Sequence, residues 1–193
     1  MRDPEFIIFT GPMFGSKTTR MLAAVDRYRW QNKKIVAFKP QIDDRYSINQ
    51  ISTHNGANIP AQCVSCAEDI ISHLNEIGNF DVIAVDEAFM IKGVAETLLT
   101  YFRNGKTIVV STLQLSSKGE PFREVKEMMP WATKIDICPA VCPVTGRDAF
   151  YTHRKFKEER EIIVGGADMY EPRCFEKYEY VNLKFKEDND ELI

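Results

Sequence analysis

The chain has no apolar run long enough to cross a bilayer, which excludes a membrane-spanning helix. Its first residues lack the pattern of a secretory leader, because Arg2, Asp3 and Glu5 stand where an apolar stretch is needed. An excess of positive charge is also missing. The 193 residues carry 25 Lys and Arg against 28 Asp and Glu, net −3, with a pI near 5.7. That balance excludes long-range attraction to nucleic acid or an anionic membrane, so a small polyanionic ligand would need a local positive site. Internal repeats and low-complexity tracts are absent. Cysteine is scarce and odd in number, at 5. With no leader, the thiols are expected reduced or metal-bound in a cytoplasmic protein. The opening Met1–Phe6 segment reads like a linker remnant of no structural weight.

What is present is an alternation of strands and helices. Phe6–Thr10 reads as a buried parallel strand, followed by a Gly-rich turn and a helix over 17–32 with Met21, Leu22, Val25 and Tyr28 on one face. A second strand is expected over 35–38, stopped by Pro40, then a long polar loop over 41–60. A helix over 67–77 should turn Ile70, Ile71 and Leu74 inward. A third strand covers 81–85, a helix 93–103 and a fourth strand 107–111. This pattern predicts an α/β fold with a parallel sheet covered on both faces. The character changes near 131, so the chain divides into a nucleotide-binding part, 1–130, and a small β-rich part, 131–193, whose charged end at 186–192 is expected to be disordered.

Gly11-Pro12-Met13-Phe14-Gly15-Ser16-Lys17-Thr18 lies between the first strand and the first helix, the context that a phosphate-binding loop (P-loop) requires. Small residues let backbone N–H groups face phosphate oxygens, and the helix N-terminus adds its positive end. Lys17 would reach the β- and γ-phosphates of ATP and Thr18 would bind Mg²⁺. The usual motif has Gly before the Lys; here that place is Ser16, with Gly15 one position early. If position 16 needs positive φ, a non-Gly residue costs about 1–2 kcal/mol there, and Gly15 would absorb part of the change. An ordinary Gly turn capping a helix is the alternative. Asp86-Glu87 closes the third strand. One carboxylate there can hold Mg²⁺ and the other can act as a general base toward a hydroxyl, strand alternation sending them to opposite sides.

These blocks resemble the cytosolic thymidine kinase family, the type with a zinc-bearing lasso domain. The resemblance rests on the phosphate loop, Lys39-Pro40 through Asp43-Asp44-Arg45-Tyr46, Ser52-Thr53-His54-Asn55-Gly56 and Val85-Asp86-Glu87-Ala88. It continues through Gly119-Glu120-Pro121-Phe122, Thr152-His153-Arg154 and Val164-Gly165-Gly166-Ala167-Asp168-Met169-Tyr170. It implies transfer of the ATP γ-phosphoryl group to the 5′-hydroxyl of thymidine or a related deoxynucleoside, with Glu87 taking the hydroxyl proton. Lys17 and Arg45 would steady the phosphate charge, Thr18 and Asp86 would serve Mg²⁺, and Asp43 would belong to the nucleotide site. Backbone groups of 162–166, including Ile163, Val164 and Gly165, would hold the base. Met13, Leu113, Phe122, Thr152 and Tyr170 would line its pocket. The family tends to form tetramers, so a homo-oligomer is implied, and the site leaves room for feedback by a product triphosphate.

Departures from the family pattern are equally specific. Cys142 and Cys174 stand at two zinc positions, but Thr145 and Lys177 replace their partners, and a structural zinc wants four N or S ligands. Cys138 or His153 could substitute; packing or a Cys142–Cys174 disulfide could staple the region instead. Cys63-x-x-Cys66 lies elsewhere and reads as structural or incidental. Leu113-Gln114-Leu115-Ser116-Ser117 lacks the family's Asp residues and aromatic, and Phe89-Met90 replaces Gln-Phe. Nucleotide binding without turnover is therefore the competing expectation.

Overall fold

The computed structural model describes residues 3–43, 49–53, 56–156, 160 and 162–179. Arg45, His54 and the tail at 186–192 lie outside the described residues.

Six strands form one parallel sheet in the order β5-β2-β6-β7-β1-β8. In chain order these are β1 (Phe6–Thr10), β2 (Ile35–Pro40), β5 (Gln62–Val64), β6 (Val82–Val85), β7 (Thr107–Thr112) and β8 (Lys134–Ile137). Strand alternation divides the core. Phe6, Ile8, Phe38, Ile83, Val85, Ile108 and Val110 face α2 (Ala67–Ile77) and α3 (Val94–Arg103), with Met128 of α4 (Arg123–Met128) added. Ile7, Phe9, Ala37, Val82, Ala84 and Val109 face α1 (Lys17–Trp30), which contributes Met21, Leu22, Val25 and Tyr28. Burying both faces of a parallel sheet explains why its strands read as continuous apolar runs.

Several expectations needed correction. The 41–60 stretch holds a hairpin, β3 (Gln50–Ser52) with β4 (Asn58–Pro60), which buries Ile51 and Ile59 on the α1 face. Two isoleucines among polar residues were too sparse to reveal strands of three residues. β2 runs through Pro40, which is tolerated because pairing with β6 has already stopped at Phe38. Ile71 is 39% exposed rather than inward; α2 buries Ala67, Ile70 and Leu74 instead. The opening segment does carry structure. Phe6 is fully buried, the Glu5 carbonyl accepts the Ile108 N–H at 2.8 Å, and the Tyr28 hydroxyl donates to the Glu5 carboxylate at 2.5 Å.

The sheet also extends past residue 130. β8 pairs with β1 from Ile7–Lys134 to Thr10–Ile137. Beyond it lie two short antiparallel pairs, β9 (Ala140–Val141) with β10 (Asp148–Ala149), and β11 (Tyr151–Arg154) with β12 (Tyr170–Arg173). Two contacts anchor this region to the sheet's carboxyl end. The Met13 N–H donates to Thr152 Oγ1 at 3.0 Å, and the Tyr178 hydroxyl to the Ser117 carbonyl at 3.1 Å.

Candidate active site

The phosphate loop leaves β1 at its carboxyl end and enters α1. That helix has no acidic residue in its first turn and no side-chain cap from Ser16, so its first N–H groups and positive end remain available to an anion. By contrast, α2 is capped through Asp69, and Glu124 accepts the Gly93 and Ala95 N–H groups at the start of α3. Ser16 does adopt the left-handed conformation, φ 57°, and so does Phe14, φ 66°. The expectation that Gly15 absorbs this distortion was incorrect, since Gly15 is not among the positive-φ residues. It is needed for space, because a Cβ there would meet the Cys138 carbonyl oxygen at 2.4 Å. Gly11, at φ 139°, faces the same oxygen, which a Cβ would meet at 2.3 Å. The chain just past β8 thus props the loop from beneath. Lys17 is buried and its Nζ donates to the Pro12 carbonyl at 2.6 Å.

Loop residues Met13 to Thr18 line a cavity of about 620 Å³ together with Asp43, Asp86 and Glu87. The Thr18 hydroxyl donates to Asp86, 3.0 Å from Oδ1 and 3.3 Å from Oδ2. Burial and the neighbouring Glu87 charge push the Asp86 carboxyl up to about 7; the hydroxyls of Ser111 and Thr18 oppose the rise, and Asp43 adds to it. A hydroxyl and a carboxylate side by side are hard oxygen donors that suit Mg²⁺, which draws its other ligands from phosphate and water. A cation there would also relieve the repulsion that raises Asp86. Strand alternation does not separate the two carboxylates as expected. β6 ends at Val85, and Glu87 turns into the left-handed region, φ 48° and ψ 44°, at the head of a short 3₁₀ turn, Ala88–Met90.

Glu87 and Met13 line a second cavity as well. Its walls include Leu113, Phe122, Thr152, Ile163, Gly165 and Tyr170 from the expected pocket. Val164 is in the same segment but does not line it, and Gly11 and Pro12 line neither cavity. This second cavity is small, about 30 Å³. Phe89 and Phe122 pack with ring centroids 4.5 Å apart, and Leu113, Val125, Met13 and Met90 gather around them. The Tyr170 hydroxyl donates to the Ile163 carbonyl at 2.8 Å, shaping the segment that ends at Gly165.

Cys142 and Cys174 are buried with Ala140 and Ala149. Thr145 Oγ1 lies 3.4 Å from Cys174 Sγ. Burial opposes ionisation of Cys142, but the Thr145 hydroxyl and the N–H groups of Cys174, Val144 and Thr145 outweigh it and draw the thiol down to about 6. Among the described residues no three His, Cys, Asp or Glu gather into a metal cluster. Two thiols, a hydroxyl and a lysine do not make a zinc tetrahedron.

Sequence reasoning assigned no role to several lining residues. Lys39, Ser52, Thr53 and Ala167 border the phosphate cavity, and Met90, Ser116, Ser117 and Arg154 the apolar one. Lys39 carried a signal, a cation at the end of a buried strand; the serines carried none.

The family described as thymidine kinase matches residues 5–178. A thymidine kinase of Thermococcus kodakarensis is 35% identical over 181 residues, covering 89% of this chain and 92% of that protein. One of Pyrobaculum aerophilum is 30% identical over 179 residues, covering 89% of this chain and 97% of its own. With the phosphate loop, the paired carboxylates and the adjoining aromatic cavity already in place, these matches establish that the chain belongs to the thymidine kinase family.

Proposed function

We propose that this protein transfers the γ-phosphoryl group of ATP to the 5′-hydroxyl of thymidine or a closely related deoxynucleoside, as a cytoplasmic salvage kinase. The observation that carries this reading is that Glu87 and Met13 wall both a polar phosphate cavity and an aromatic cavity. A nucleoside in the second would bring its 5′-oxygen to Glu87, beside phosphates in the first. The loop N–H groups and the α1 N-terminus hold the triphosphate, with Lys17 exchanging its Pro12 carbonyl for phosphate oxygens. Asp43 borders the same cavity, and Arg45 is assigned to it by family resemblance. Thr18 and Asp86 would hold Mg²⁺, which when bound neutralises phosphate charge. Glu87 accepts the hydroxyl proton. Phe89 and Phe122 offer faces to the base and backbone groups of 162–166 its hydrogen bonds. Because about 30 Å³ cannot hold a nucleoside, Met13, Met90 and Ile162 must part on binding; the unbranched methionines make that inexpensive.

We propose a division into a nucleotide-binding part, 1–130, and a lasso part, 131–193, the sheet itself running on to Ile137. A homo-oligomer, by family resemblance a tetramer, and feedback by a triphosphate in the same phosphate cavity belong to this proposal.

The test is ATP-dependent phosphorylation of a panel of ribo- and deoxynucleosides. Thymidine or another pyrimidine deoxynucleoside should be the best acceptor; no turnover with any of them would overturn the kinase reading. A second reading, nucleotide binding without turnover, is favoured by the left-handed Ser16 in the loop. It predicts ATP binding with no product, and no gain in turnover from Ser16→Gly.

A further inference from the structure

Lys39 is 4% exposed. A lysine so deeply placed has lost most of its hydration and needs compensating partners. It stands next to last in β2, one residue past Phe38, whose carbonyl accepts the Asp86 N–H at 3.0 Å. Phe38 points into the α2–α3 core and Ala37 into the α1 core. Alternation therefore sends Lys39 to the α1 side, where it lines the phosphate cavity with Lys17, Asp43, Asp86 and Glu87. The cavity wall thus holds three carboxylates and two ammonium groups, and an entering triphosphate adds several negative charges.

We propose that Lys39 is a catalytic residue of phosphoryl transfer, its ammonium holding the γ-phosphoryl oxygens of ATP from the β2 side while Lys17 holds the chain of phosphates from the loop. This rests on the kinase reading above. In the step, the acceptor 5′-oxygen bonds to the γ-phosphorus and the bond from that phosphorus to the β–γ bridging oxygen breaks. ADP leaves with the electron pair and the acceptor proton passes to Glu87. The transferred group crosses a region walled by Asp43 and Glu87, both of which repel it. A fixed cation on the neighbouring strand offsets that repulsion without having to reorganise during the step. A lysine present only to balance Asp86 would serve equally with ADP or ATP bound; one that holds the γ-phosphoryl group would not.

The experiment compares the full-length protein with Lys39→Met, Lys39→Gln and Lys39→Arg, measuring thermal melting, MgATP and MgADP affinity by calorimetry, and steady-state phosphorylation of thymidine. Lys39→Met should weaken ATP at least about tenfold while leaving ADP within about twofold, and lower kcat by about 10²–10³-fold with a small change in nucleoside KM. Lys39→Arg should recover part of both. Equal loss of ATP and ADP affinity, or kcat within about threefold of the parent, would overturn the proposal. If Lys39→Met does not fold, the same comparison is read from the Gln and Arg variants. If the parent phosphorylates no nucleoside, the kinase reading falls, but the ATP-against-ADP difference still decides whether Lys39 holds the γ-phosphoryl group.

Discussion

The two cavities that meet at Glu87 differ sharply in size and lining. The phosphate cavity measures about 620 Å³, whereas the aromatic one measures about 30 Å³. Their walls explain the difference. Lys17, Lys39, Asp43, Asp86 and Glu87 wall the first with charged groups rather than apolar ones, and the loop above them is propped on the Cys138 carbonyl. Phe89, Phe122, Leu113, Met13 and Met90 gain by contact and have no reason to stay apart. On the proposed kinase reading, a charged site beside a small apolar one would let nucleotide bind a formed cradle, while nucleoside would have to open its own pocket.

Replacing Glu87 with Gln should break the link between the cavities. Turnover is expected to fall by about 10²–10⁴-fold, while ATP affinity measured by calorimetry changes little; retained turnover would remove Glu87 from the role of base. Gly15→Ala attacks the phosphate side alone. Its Cβ would meet the Cys138 oxygen at 2.4 Å, so unfolding free energy should drop by about 1–3 kcal/mol. ATP affinity should fall with it, while thymidine affinity is unaffected; equal losses for both ligands would show that the cavities are not separable.

The pH dependence of stability sharpens the same contrast. Asp86 titrates near 7 in the folded chain against an ordinary 3.8. Between those values the folded protein keeps a proton that the unfolded chain has lost, so this group's contribution is fullest below about pH 4 and is lost as pH rises through 7. The nucleotide-free protein should therefore melt lower at about pH 8 than at about pH 6, and Asp86→Asn should flatten that decline. An unaltered slope in the Asn variant would remove Asp86 as its source. The smallest effect is expected on the apolar side. Phe122→Leu loses an aromatic contact worth about 0.5–1.5 kcal/mol, raising thymidine KM by roughly two- to tenfold with ATP affinity unchanged in the same assays.

The legibility of these features in the sequence followed their physical origin. The phosphate loop could be read because a strand, a tight turn and a helix N-terminus occupy eight contiguous residues, and local geometry suffices to make the cradle. Asp86-Glu87 was legible as a pair but not in its geometry, since the strand ends at Val85 and Glu87 turns left-handed beyond it. The β3–β4 hairpin and β8 escaped notice for a related reason. These strands are short, and β8 is a sheet edge with Ile135 and Ile137 exposed, so they carry little of the apolar signal that marks a buried strand.

The sequence by itself determined the alternating parallel sheet, the loop's place at the end of β1 and the acidic pair at the end of β6. Each depends on residue types at short separations, where chain geometry leaves few options. Tertiary structure alone decided the rest. It made Gly15 answer to the Cys138 carbonyl and turned Lys39 toward the phosphate cavity. It also let Tyr178 hold the Ser117 loop, and left the aromatic pocket small. Those outcomes depend on contacts between residues tens of positions apart, which packing selects and which no local pattern encodes.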